Sequence, residues 1–151
     1  MRGEYLGMIA DQMYTELIMM HNKSGHNKRE LSHPDFFERG HNPNCGDDLT
    51  LQVNVKDGIV TEAAFIGSGC AISQAAMSIM IDLVTGKPID EVKALTDLYL
   101  SMVRGETMDE ADLEKLEDAQ AFMSLSKMPA RVKCGTLGWH CLDVVLDKIP
   151  K

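Results

Sequence analysis

No two cysteines in this chain of 151 residues form a CxxC pair, so the commonest local signature of a metal or redox site is missing. There is also no apolar run of membrane-spanning length. The first residues, Met1-Arg2-Gly3-Glu4-Tyr5, lead into a mixed polar and apolar pattern rather than an apolar stretch ending in a cleavage site. The expectation is a soluble, cytoplasmic protein with no membrane partner. Positive charge is in deficit: 15 Lys and Arg stand against 23 Asp and Glu, a net charge of −8. A nucleic-acid partner is therefore not expected, because phosphate backbones are held by clustered cations. The one basic cluster, Lys23 to Arg29, reads as a solvated loop. Internal repeats, low-complexity tracts and domain linkers are absent, and 44% hydrophobic content suits one domain spanning 1–151 that needs no disulfide staples.

Four cysteines are present, and in a reducing compartment they are expected as thiols or metal ligands. Three lie in distinctive segments: Cys45-Gly46-Asp47, Gly67-Ser68-Gly69-Cys70 and Ala130-Arg131-Val132-Lys133-Cys134. Three thiolates and one carboxylate from separate turns make a four-coordinate zinc set, in which the carboxylate is the replaceable member.

The apolar pattern places these segments on elements. Leu6, Ile9, Met13, Leu17 and Met20 form a helical stripe over residues 4–21. Ser24 to Asn44 reads as a long polar connection with a short extended piece near Phe36 and Phe37, the expected seat of flexibility and the candidate to close over the site. Alternation at Leu49, Leu51, Val53 and Val55, the turn Lys56-Asp57-Gly58 and the run Ile59 to Ile66 predict a hairpin. A buried helix over Ala71–Thr85 stops at Gly86, a second follows Pro88 and ends at Gly105, and Thr107 to Glu110 reads as a capping box. That box would open an acidic helix with Leu113, Leu116 and Phe122 inside, and a last helix covers Arg131–Lys148. The fold class is α+β, a small antiparallel sheet covered by helices. Cys70 and Cys134 are both expected at helix starts, where unpaired N–H groups favour a thiolate.

Other residues are assigned blander roles. Cys141 stands seven residues after Cys134, about 10 Å along a helix, too far to share one ion, and reads as a core residue. His140 is turned away from Cys134, and His41 reads as a loop histidine. The eleven methionines are read as core filling, and neither Gly67-Ser68-Gly69 nor Thr85-Gly86-Lys87-Pro88 completes a phosphate loop.

Asn42-Pro43-Asn44-Cys45-Gly46-Asp47-Asp48-Leu49, Gly67-Ser68-Gly69-Cys70-Ala71-Ile72-Ser73-Gln74-Ala75 and Pro129-Ala130-Arg131-Val132-Lys133-Cys134 resemble, in order, the signature segments of the SufU/IscU family of iron–sulfur cluster assembly proteins. Lys133, standing where scaffold members carry histidine, and the stretch Ser101 to Lys127, which resembles an inserted segment, favour the SufU branch. The resemblance implies a zinc-dependent sulfurtransferase with one Zn²⁺ held by Cys45, Asp47, Cys70 and Cys134. It further implies that Cys45 accepts persulfide sulfur from a SufS-type cysteine desulfurase and passes it toward an iron–sulfur assembly scaffold. A side chain entering from the partner would free Cys45 to attack the persulfide, and Arg131, three residues before Cys134, would offset the negative charge of the ligand set. The alternatives are an IscU-type scaffold for nascent [2Fe–2S] clusters and a structural zinc module without catalysis.

Overall fold

The computed structural model describes residues 14–43, 46–106 and 109–150. Helix α1 occupies 14–24 of these, and the first ten residues of its expected span lie outside the described residues. Then come strands β1 (Phe36–Asn42), β2 (Asp47–Lys56) and β3 (Ile59–Ser68), and helices α2 (Ala71–Val84), α3 (Ile89–Val103) and α4 (Glu110–Glu114). A 3-10 segment (Glu117–Lys127) and α5 (Pro129–Lys148) complete the chain. The sheet is antiparallel, ordered β1-β2-β3. This is the α+β arrangement expected from the sequence.

The hairpin forms as the pattern predicts. Asp57 and Gly58 make its two-residue loop with φ of 54° and 75°, the left-handed pair that matches the twist of the strands it joins. Along β2 the inward positions are Asp47, Leu49, Leu51 and Val53, every one essentially inaccessible. α5 packs on β1 and β2 while α2 packs on β3 and α5, so the core lies between the sheet's inner face and these helices. Tyr99 stacks on Trp139 with ring centroids 4.2 Å apart and donates to the Gly135 carbonyl at 2.8 Å. That bond joins α3 to α5 one residue after Cys134. Among the described residues no helix is long and apolar enough to cross a membrane.

Three elements differ from expectation. The polar connection is shorter, because β1 runs for seven residues rather than a brief piece at Phe36 and Phe37. Of its inward positions only Phe36 is apolar, and Glu38, Gly40 and Asn42 are not, so the usual alternation signal is missing. Gly40 is needed for space: a Cβ there would stand 2.7 Å from Cys141 Sγ and 2.9 Å from Leu137 Cδ1. What is left of the connection is pinned by Arg29 N to Phe65 O (3.0 Å), Phe65 N to Asn27 O (3.1 Å) and Leu31 N to Gln52 Oε1 (2.7 Å).

The acidic helix is the second difference. It divides into α4 and the 3-10 segment around Glu117, whose φ is 49°. Leu113, Leu116, Ala119, Phe122 and Leu125 are all buried at a strict spacing of three, the period of a 3-10 rather than an α-helix. Asp109 caps α4 by accepting from Ala111 N at 3.0 Å, whereas Thr107 and Met108 of the expected capping box lie outside the described residues. Third, α5 begins at Pro129, a residue suited to the first helical turn, so Cys134 is its sixth residue and sits in the second turn. The free N–H groups of a helix start therefore lie at Cys70 and not at Cys134.

Candidate metal centre

At the end of the sheet away from the hairpin loop, Asp47, Cys70 and Cys134 converge, with one ligand atom from each lying within 4.8 Å of the others. Asp47 starts β2 on the core face and is fully buried. Gly46 before it has φ 70°, a conformation that a side chain would resist.

A buried carboxylate needs partners. Asp47 Oδ1 accepts from Cys70 N at 2.8 Å and from the Ser73 hydroxyl at 3.0 Å. Oδ2 is left facing Cys70 Sγ at 4.0 Å. This approach depends on Gly69, where a Cβ would stand 2.7 Å from Ser73 Oγ and 2.9 Å from Asp47 Oδ1. Gly67 in the same segment has φ 113° and passes so close to the Asp48 carbonyl that any Cβ would collide with it.

Cys70 is the N-cap of α2, and its sulfur accepts from Ser73 N at 3.4 Å. This is how a capping oxygen normally acts, and it directs the thiol toward the free end of the helix. Ser73 thus serves both first-row residues, capping geometry and carboxylate. Sequence reasoning did not single it out, although a serine three residues after a capping position is a readable signal. Cys134 is buried, presented by α5 on the face that also carries Leu137 and Cys141. None of Cys70, Cys134 and Cys141 is in a disulfide.

The donor chemistry fits a zinc-class ion. Metal–sulfur bonds of about 2.3 Å and metal–oxygen bonds of about 2.1 Å place neighbouring tetrahedral ligand atoms about 3.6 Å apart, so 4.0 Å from Cys70 Sγ to Asp47 Oδ2 closes with a small adjustment. Cys45, the expected fourth ligand, lies outside the described residues.

Other sequence candidates sit apart from the trio. Cys141 is a core residue near Gly40, its thiol pushed up to about 12 by burial. His41 and His140 are exposed. His41 is on the outer face of β1, across from Asp48, whose carboxyl is held low chiefly by the paired hydrogen bonds from Arg39 at 2.7 and 2.8 Å. Lys133 is exposed.

Arg131 is exposed in the first turn of α5 and bears on the Tyr14 phenol. Burial raises that phenol's pKa, Arg131 pulls it back, and the Cys70 and Cys134 sulfurs add a smaller upward push.

Comparisons with known proteins agree with this architecture. Residues 13–101 match the family model described as the NifU-like N-terminal domain. The chain is 37% identical over 144 residues to the iron–sulfur cluster assembly scaffold protein IscU of Thermotoga maritima, covering 95% of this chain and 99% of that one. It is 36% identical over 133 residues to the zinc-dependent sulfurtransferase SufU of Bacillus subtilis, 88% of each chain being covered. A solved structure described as a putative iron–sulfur cluster assembly scaffold protein for the SUF system, from Fervidobacterium islandicum, superposes with a TM-score of 0.81 at 31% identity. That match covers 89% of this chain and 97% of the other.

Proposed function

Because the chain belongs to the NifU-like N-terminal domain family, among iron–sulfur cluster assembly proteins of the IscU/SufU type, we propose that it is a zinc-dependent sulfurtransferase. In this reading it accepts sulfur on Cys45 from a cysteine desulfurase of the SufS type and delivers it to an iron–sulfur assembly scaffold. The observation that carries the reading is the convergence of buried Asp47 and Cys134 with half-buried Cys70, with Cys45 two residues from Asp47 in sequence as the fourth ligand. A bound zinc ion supplies thiolates kept deprotonated and guarded from oxidation, with one ligand position open to exchange.

The chain's own residues do the rest. Cys70 N–H and the Ser73 hydroxyl fix one oxygen of Asp47 and leave the other for the ion. Arg131, exposed beside the site, offsets the negative charge of three thiolates and a carboxylate. The Cys45 thiolate, once free, attacks the outer sulfur of the desulfurase persulfide. The new bond joins Cys45 to that sulfur, the old S–S bond breaks, and the desulfurase thiolate leaves with the electron pair.

A second reading, a scaffold holding a nascent [2Fe–2S] cluster on the same residues, is favoured by the name of the Thermotoga relative. Lys133 speaks against it, because a protonated lysine offers no lone pair and this one is exposed beside Cys134. A structural zinc module without chemistry is the third reading. Metal analysis together with a desulfurase assay tests all three. The expected result is one zinc per chain and faster cysteine turnover with the wild-type chain, lost in Cys45→Ala while the fold is kept. Stable [2Fe–2S] reconstitution in preference to zinc would replace the proposal with the scaffold reading, and zinc with no effect on turnover would leave only the structural one.

A further inference from the structure

The peptide unit between Gly69 and Cys70 is gripped at both ends. Its N–H, on Cys70, donates to Asp47 Oδ1 at 2.8 Å, and its carbonyl, on Gly69, accepts from Gln74 Nε2 at 2.7 Å. The far end of the Gln74 amide is engaged as well, Oε1 accepting from Lys28 Nζ at 3.0 Å. The amide can face only this way. Reversed, it would set its oxygen against the Gly69 carbonyl and its NH2 group against an ammonium.

The start of α2 explains the arrangement. Cys70 is the N-cap, so Ser73 is the third helical residue and Gln74 the fourth. In a capping box a long polar side chain at the third position returns to the N-cap N–H. Here the third position is a serine whose hydroxyl donates to Asp47 Oδ1 at 3.0 Å, and the Cys70 N–H is left for the same carboxylate. Gln74, one residue further on, reaches back past the cap to the Gly69 carbonyl. Lys28 lies in the segment read from the sequence as a solvated loop, and its side chain is exposed. Its backbone is nonetheless pinned. Lys28 N donates to the Gly25 carbonyl at 3.0 Å, and the residues on either side of it exchange hydrogen bonds with Phe65 of β3.

Every link runs in one direction, from an ammonium through a side-chain amide and a backbone amide to a carboxylate, and hydrogen bonds aligned in this way polarise one another. We infer that Lys28 and Gln74 are positioning residues of the metal centre, acting on the Asp47 carboxylate through the Gly69–Cys70 peptide. The inference rests on the metal-centre reading and deepens it. The relay fixes the plane of that peptide, so Oδ1 stays occupied and Oδ2 alone is presented to an ion. A ligand held by such outer partners keeps its orientation while another ligand leaves.

The test uses the full chain. Zinc affinity is read by chelator competition, and the Cys70 amide by its proton chemical shift in isotope-labelled, zinc-free protein. Gln74→Glu keeps the size and the acceptor for Lys28 but removes the donor to Gly69, and Lys28→Met removes the cation. Each change makes the chain more negative, so coulombic attraction alone would tighten zinc binding. The relay requires the opposite sign. Zinc is expected to bind about tenfold more weakly to Gln74→Glu, the lower end of what loss of an outer hydrogen-bond partner brings. A smaller loss is expected in Lys28→Met, whose charge is exposed and screened, and Lys28→Arg should keep the parent affinity. In Gln74→Glu and Lys28→Met the Cys70 amide proton should move upfield as its bond to Asp47 weakens. Zinc held as tightly as in the parent, or more so, by a folded variant strikes that residue from the relay. An unmoved Cys70 amide in both overturns the relay whole and leaves the metal centre standing. Lys28→Met, a change to an exposed side chain, decides the matter should Gln74→Glu not fold. A parent chain that binds no zinc overturns the metal centre and the relay's role in it together.

Discussion

Cys134 and Cys141 stand on the same face of the same helix, both 4% exposed, and differ in everything that matters for chemistry. Around Cys134 the packing brings a carboxylate, itself held by a serine hydroxyl, and a capping thiol. Around Cys141 it brings Leu137 and the backbone of Gly40, and the thiol's pKa rises to about 12. Residue type, helix and depth are constant, so the difference lies in what β1 and β2 place opposite each thiol. At one end of the β1–α5 interface the strands supply Asn42 and Asp47; two residues along, they supply a glycine. Burial by itself makes a cysteine inert, and burial among matched polar groups makes it a ligand.

The widest contrast should be in reactivity. At pH 8 a thiol with a pKa of about 12 has about three orders of magnitude less thiolate than an ordinary one near 8.5. After chelation, iodoacetamide labelling read by peptide mass is expected to modify Cys70 while Cys141 stays unlabelled until the chain unfolds. Early labelling of Cys141 would erase the distinction. The sign of the linkage follows: the unfolded chain loses this proton first, so the contribution is intact below about pH 8.5 and is lost as pH rises from there toward 12.

Alanine substitution sharpens the same contrast. Cys134→Ala is expected to weaken zinc binding by at least about a hundredfold in a chelator competition, exceeding most losses of outer partners. Cys141→Ala should leave zinc binding unchanged and lower stability by about 1 kcal/mol through the small cavity it opens. The remaining effect is at the strand. Gly40→Ala drives a methyl to within 2.7 Å of Cys141 Sγ and should destabilise by about 2 kcal/mol in chemical unfolding. Pairing it with Cys141→Ala should recover part of that loss, since the collision is with the sulfur.

The legibility of each part follows from how local its cause is. The hairpin was readable because alternation and an Asp-Gly loop are properties of neighbouring residues, and so were α2 and α3 with their glycine stops. β1 was hidden because Glu38, Gly40 and Asn42 face inward for reasons that belong to α5. The 3-10 segment was present in the sequence as a spacing of three, 113, 116, 119, 122 and 125, that an α-helical reading passes over. In the site, Asp47, Cys70 and Cys134 could be named from their motifs, whereas the hold of Ser73 on the Asp47 carboxylate belongs to the packing.

What the amino-acid order determined by itself is the set of ligand types and the elements that carry them, because thiolate chemistry, glycine turns and apolar periodicity act over a few residues. What only the tertiary structure decided is which cysteine is a ligand and which is core, and which polar groups surround the ligands. Those outcomes depend on residues more than twenty positions apart meeting across a helix–sheet interface, where a few ångströms separate a matched polar site from an apolar one.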